Sequence, residues 1–205
     1  MILASILGIV SALSFLACLL LGASVSVFPQ NAADRHIVKA LRGHATPVAL
    51  FFTWTGRLLP LAVLGAVAVA IVFFSHGSIW LPIAVLVSQI ASQGTVELLK
   101  TVFRRQRPDV FFGGRELGLS YPSGHATTAV VFYGAWILLL AHSSLPGAAK
   151  AVCVGVLAAW LAAIGLSRLA LGAHYVSDVI GGTLFGVAWL AAVVALGLHT
   201  GLLSA

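Results

Sequence analysis

The sequence predicts an all-α polytopic membrane protein, a bundle of six transmembrane helices. Of its 205 residues, 60% are hydrophobic and only 8% charged, against about 25% charged in ordinary soluble domains. Mean hydropathy is +1.09. The apolar residues fall in long continuous runs, which excludes a β-barrel, whose strands alternate apolar and polar positions. Crossing a hydrocarbon core takes about twenty such residues as a helix. The runs extend evenly from end to end, so residues 1–205 read as one domain with no soluble part.

The first span runs from about Ile2 to Val27. Its "FLAC" has the look of a lipoprotein cleavage site, but no basic residue precedes it and a long apolar run follows, so it reads as an uncleaved span. The second runs from about Leu58 to Phe74, the third from Ile79 to Leu99, the fourth from Ser123 to Ala141, the fifth from Gly147 to Leu166 and the sixth from Val176 to Leu198. Between the first two, Ile37, Val38 and Leu41 alternate with Arg35, Lys39 and Arg42 at helical spacing. A short amphipathic helix on the membrane surface is predicted around 32–43. The interval "KTVFRRQRPDVFFGGRELGLSYPSGH" carries most of the remaining charge. Cys18 and Cys153 lie inside apolar runs and read as small buried hydrophobes.

A formal charge of +6 would suggest a nucleic-acid partner in a soluble protein. Here the basic residues flank apolar spans, so anionic lipid headgroups or a phosphate-bearing substrate suit them better and no nucleic acid is expected. Six spans put both termini on one side of the bilayer. Of the 11 Lys and Arg residues, only Lys150 is on that side.

Charges near lipid are costly, about 2.5–3.5 kcal/mol at a helix centre on insertion scales, and they mark function or snorkelling ends. Snorkelling accounts for Arg57 and Lys150. It does not account for His174 and Asp178, four residues apart on one helical face. That spacing lets a carboxylate accept a hydrogen bond from one imidazole nitrogen and leave the other free to attack; a helix-capping pair is the alternative. In "PSGH" at 122–125, Ser123 is placed to cap span four and Gly124 allows close backbone approach, and free amides at a helix start bind phosphate; an ordinary helix start is the alternative, and the favoured one for this motif alone. Lys100 and Arg107 are two helical turns apart, so both point to one face if the helix runs on to Pro108. Two such cations suit an anion, with interface anchoring as the alternative.

Together these stretches resemble the type 2 phosphatidic acid phosphatase (PAP2) family, whose pattern is K-x6-RP, PSGH, then SR-x5-H-x3-D. The chain has "KTVFRRQRP" at 100–108, "PSGH" at 122–125 and "SRLALGAHYVSD" at 167–178, matching every specified position in order. The resemblance implies a six-helix membrane phosphatase with a haloperoxidase-like core. It implies that His174 is the nucleophile forming a phosphohistidine, that Asp178 orients it and that His125 protonates the leaving oxygen. Lys100, Arg107, Ser123, Gly124 and Arg168 would hold the phosphoryl oxygens and stabilise transition-state charge. No metal or other cofactor is implied, since the cations do a metal's work. Ala170 stands where many relatives carry an aromatic and Val176 where some carry proline. Glu97, one turn before Lys100, is read as an acid supporting that lysine or as a polar packing contact. His36, His44, His76, His142 and His199 receive no catalytic role.

The function expected from the sequence is metal-independent hydrolysis of a phosphomonoester or pyrophosphate on a membrane lipid. Candidate substrates are undecaprenyl pyrophosphate, phosphatidylglycerol phosphate, phosphatidic acid and a lipid A phosphate. The alternatives are a phosphotransferase passing the phosphoryl group to another lipid, and a phosphate-binding transporter or scaffold. The positive-inside rule puts the site in the cytoplasm, whereas resemblance to bacterial relatives implies an inner-membrane protein with an outward site and cytoplasmic termini, and the latter orientation is expected. Lipid identity and oligomeric state are not legible.

Overall fold

Long apolar runs satisfy their backbone groups in lipid as helices. The computed structural model describes residues 1–28, 32–41, 43, 46–74, 80–108, 118–201 and 203, and the described part of every predicted span is largely helical. Helix α1 (Ile2–Val27) is followed by the short α2 (Ala32–Leu41), by α3 (Thr46–Thr55), α4 (Leu58–Phe74) and α5 (Trp80–Phe103). Helix α6 (Gly124–Ala141) contains a π-helical turn at Ala129–Tyr133, and α7 (Gly147–Ala170) and α8 (Val176–His199) complete the bundle. Helices α1, α5, α6, α7 and α8 are each long and apolar enough to span, and α3 with α4, bent by 53° at the break between them, would make a sixth if the pair is one span.

The second predicted span, Leu58 to Phe74, is helix α4 with the same bounds; the helical α3 that precedes it was not predicted. The preceding "TPVALFFTWT" is also apolar and helical, and Gly56 and Arg57 lie at the bend between the two helices. Gly56 N–H and Arg57 N–H bond back only three residues, to Thr53 O and Trp54 O at 3.2 and 3.1 Å. Pro60 has no N–H to carry the helical ladder across the break.

Helix α1 packs along α8, and Ser11 Oγ donates to Ala188 O at 2.8 Å. Outward side chains such as Leu13 and Leu20 are exposed, as a bilayer requires. One apolar cluster joins Cys18, Val25, Val96, Leu99, Tyr121 and Phe185; a second joins Leu61, Val85, Ala129, Phe132, Tyr133 and Ile164. Helix α6 lies close on α8, where Thr127 Oγ1 donates to Gly182 O at 3.0 Å. Small residues permit such backbone approach in membrane bundles.

The predicted surface helix forms at 32–41 with Arg35 and Lys39 exposed, while Arg42 and His44 lie outside the described residues. It also docks on the protein. Its buried face carries Val38 and Asp34, against α7 and α8. Helix α5 stops at Phe103, four residues before Arg107. The expectation that Lys100 and Arg107 share a helical face is therefore corrected: Arg104 takes a left-handed backbone (φ 50°), an uncommon geometry for a side-chain-bearing residue, and Arg107 reaches the site from an extended segment. The turn lets Arg105 enter the core, where it is 2% exposed.

Candidate active site

His174 stands between α7 and α8. Helix α7 ends in two reverse hydrogen bonds, Gly172 N–H to Leu169 O and Ala173 N–H to Arg168 O, both 2.9 Å, with Gly172 at φ +69°. Glycine takes that left-handed conformation without strain. The chain reverses at once, and Asp178 in the first turn of α8 accepts the Tyr175 N–H at 2.8 Å, closing the helix start. His174 is thereby held over Asp178.

Arg107 Nη1 lies 3.0 Å from His174 Nε2. A guanidinium has only donors, so Nε2 accepts and the ring proton belongs on Nδ1. That nitrogen faces Asp178 Oδ2 and Ser120 Oγ, each at 3.5 Å, and Ser120 donates to the same carboxylate oxygen. Catalytic hydrogen bonds are commonly this long before substrate binds. Asp178 thus faces the imidazole and caps α8 at once.

His174 opens onto a cavity of about 530 Å³. One face of α5, at Ile90, Gln93, Gly94, Glu97 and Lys100, forms a wall at helical spacing. Arg107, Gly124, His125 and Thr128 line it from other elements, as do Gly56, Arg57 and Leu58 at the break between α3 and α4. Ser123 caps α6, its Oγ accepting the Ala126 N–H at 3.5 Å. Gln93 Nε2 donates to Gly124 O at 3.1 Å and also to Thr128 Oγ1, tying the start of α6 to α5. Among the described residues, the His125 Nε2 atom is buried without a hydrogen-bond partner.

Of the residues expected at a site, His174, His125, Lys100, Arg107, Gly124 and Glu97 line this one cavity. Ser123, Arg168 and Asp178 sit behind its wall, each at most 1% exposed. Arg168 Nη1 donates to Thr53 Oγ1 at 3.4 Å, and Thr53 shares a hydrogen bond with Ser167 at 2.7 Å. Lys100 Nζ donates to Glu97 Oε1 at 2.7 Å, the lysine side chain 12% exposed and the glutamate 66%. His36, His142 and His199 do not line the cavity; His44 and His76 lie outside the described residues. Among the described residues no group of three His, Cys, Asp or Glu side chains is arranged to hold a metal ion.

Sequence reasoning missed Arg57, assigned to snorkelling, Arg105 and Ser120, which both donate to Asp178, and Asp34, which pairs with Arg105. Position 57 carried one signal, a cation between two apolar runs. Asp34 carried another, the single acid of a basic helix.

Burial pushes the His174 imidazole down to about 4; the contact with Asp178 opposes this, and Arg168 and Arg107 reinforce it. The folded value lies below the ordinary value of about 6.5. The ring therefore stays neutral through weakly acid pH. Its contribution to stability is complete above about 6.5 and is lost as pH falls toward 4, where only the unfolded chain takes up the proton at first. A histidine-ring NMR titration in detergent micelles should give a midpoint near 4 for the signal missing from His174→Ala. An ordinary midpoint would show that the ring is hydrated in solution.

A family model described as the PAP2 superfamily matches residues 80–199. The chain belongs to the PAP2 superfamily. Similar PAP2 relatives include a lipid A 1-phosphatase of Rhizobium johnstonii, 31% identical over 84% of this chain and 59% of that protein. Another, from Rhizobium etli, is 30% identical over 80% and 58%. The chain thus spans about three fifths of their length. Phosphatidylglycerophosphatase B of Bacillus subtilis is 30% identical over 84% of this chain and 87% of its own. The crystal structure of a transmembrane PAP2-type phosphatidylglycerolphosphate phosphatase from Bacillus subtilis superposes with a TM-score of 0.74 at 27% identity, over 93% of this chain and 96% of that one. The all-α membrane fold read from the sequence is the PAP2 fold.

Proposed function

We propose that this protein is a metal-independent phosphatase acting on a phosphorylated membrane lipid through a phosphohistidine. The observation that carries the reading is one cavity into which two imidazoles face, His174 with Nε2 against Arg107 at 3.0 Å and His125 with an unpartnered Nε2, beside Lys100. In this reading Nε2 of His174 attacks phosphorus while Asp178 faces the proton on Nδ1. The bond from phosphorus to the leaving oxygen breaks, and His125 gives that oxygen its proton. Water then attacks phosphorus, the P–N bond breaks, and His125 takes the water's proton. Lys100, Arg107 and Gly124, which line the cavity, hold the phosphoryl oxygens, with Ser123 and Arg168 supporting them from behind the wall, and fixed cations such as Lys100 and Arg107 supply most of the rate in phosphoryl transfer. Glu97 holds Lys100 until phosphate competes for it, and Arg57 adds positive charge to the cavity wall.

A lipid is the substrate class because the cavity lies among spanning helices with apolar outer faces. The names of the relatives, lipid A 1-phosphatase and phosphatidylglycerophosphatase B, support lipid A phosphate and phosphatidylglycerol phosphate; undecaprenyl pyrophosphate and phosphatidic acid complete the panel. The purified protein in detergent should release phosphate from at least one of the four with chelator present. Tight phosphate binding with no release would favour a transporter or scaffold. We further propose a bacterial inner-membrane location with the site outward and both termini cytoplasmic. A C-terminal alkaline phosphatase fusion, active only when exported, should then be inactive.

A further inference from the structure

We propose that Arg105 and Asp34 are positioning residues for His174: Arg105 fixes Asp178 behind the ring, and Asp34, from the surface helix α2, fixes Arg105. The inference rests on His174 acting as the nucleophile.

Arg105 is held on every side. Its Nη1 donates to Asp178 Oδ1 and to Ser177 Oγ, both at 2.6 Å, and its Nη2 donates to Asp34 Oδ2 at 2.8 Å. The guanidinium carbon lies 4.2 Å from the centre of the Tyr175 ring, and the backbone oxygen accepts the Ser120 N–H at 2.8 Å. Asp34 is 4% exposed. Its Oδ1 accepts the Ser177 N–H in the first turn of α8 at 3.0 Å, and its Oδ2 accepts the Ser177 hydroxyl.

Two consequences follow from this geometry. Arg105 occupies Asp178 Oδ1, so Oδ2 is the oxygen that takes Ser120, the Tyr175 N–H and the approach of His174 Nδ1. A planar fork bonded to two carboxylates and stacked on a ring has no freedom to rotate, so the carboxylate plane behind the imidazole is set as well. One guanidinium is also shared between two carboxylates. Asp178 therefore keeps negative charge to stabilise the ring as it becomes positive on phosphorylation. Neutralising Asp34 would leave Arg105 undivided on Asp178 and draw that charge away.

The test uses the full chain in detergent with Asp34→Asn, Asp34→Glu and Arg105→Lys. Turnover is measured on whichever lipid the wild type hydrolyses, and the ring nitrogens of His174 are followed by ¹⁵N NMR, assigned by their loss in His174→Ala. For Asp34→Asn, kcat is expected to fall about tenfold, as when the outer partner of an oriented histidine is lost, with KM within about twofold. The Nδ1–H signature should give way to a tautomer mixture. Asp34→Glu should recover much of both, and Arg105→Lys should not, since a point ammonium cannot hold two carboxylates in one plane. Unchanged kcat per folded molecule with an unchanged ring spectrum in Asp34→Asn, whatever the loss of thermal stability, would overturn the proposal. If the wild type hydrolyses no lipid, the phosphatase reading fails, and the ring spectra still decide whether Asp34 positions His174.

Discussion

His174→Ala is expected to lower phosphate release by at least about 10³-fold, because removing the nucleophile of a covalent mechanism leaves only binding and electrostatic assistance. The unfolding temperature in detergent should stay within several degrees of wild type, since one small loop cavity costs on the order of 1–2 kcal/mol. Wild-type protein quenched during turnover of a radiolabelled substrate should carry an acid-labile phosphoryl label. The alanine variant should carry none. A variant that still turns over at the wild-type rate would remove His174 from the reaction, and the role of Arg107 at its Nε2 would reduce to anchoring.

Gly182→Val is expected to cost both activity and stability, though position 182 does not line the cavity. A Cβ there would run into the carbonyl oxygen of Ser123 and meet Ala126 Cβ at 3.1 Å. The backbone has nowhere to go. Ser123 N–H donates to Asp178 O at 2.9 Å, and Ser123 O accepts the Thr127 N–H at 3.1 Å. Overpacking of this kind costs about 1–3 kcal/mol, which corresponds to a fall of several degrees in unfolding temperature. Relief by separating α6 from α8 would move Ser123 and Gly124 away from His174, so kcat should fall as well. Gly155→Ala on α7, whose Cβ would meet nothing within 4 Å, is the control and should match wild type in both measurements. Equal behaviour of the two variants would mean that α6 can shift without consequence.

How far the sequence could be read depended on the kind of signal each residue carries. The spans were legible because bilayer thickness imposes a minimum apolar length that few other structures meet. Helix α3 and its bend against α4 at Gly56–Arg57 were not, because a cation between two apolar runs does not say whether a further helix precedes it. Lys100, Arg107, His125 and His174 could be grouped because short motifs lie at ends of spans on one side of the bilayer. The path by which Arg107 arrives was misread: two-turn spacing suggests a continuous helix, and the left-handed turn at Arg104 leaves no signature in a run of arginines. Asp34 lies in the predicted amphipathic helix, and nothing in that pattern singled it out for the site.

By itself, then, the sequence determined an all-α membrane bundle and the set of groups proposed for phosphoryl chemistry, because both rest on local properties: the length of apolar runs and the spacing of side chains within one turn or one helix. Only the tertiary structure decided which groups face the cavity, that Arg57 is one of them, and that a buried arginine ties the surface helix to the carboxylate behind His174. Those contacts join residues such as Asp34 and Ser177, 143 positions apart. A charge withdrawn from solvent is tolerated only when it is paired and hydrogen-bonded, and nothing in the local pattern of either residue records the partner.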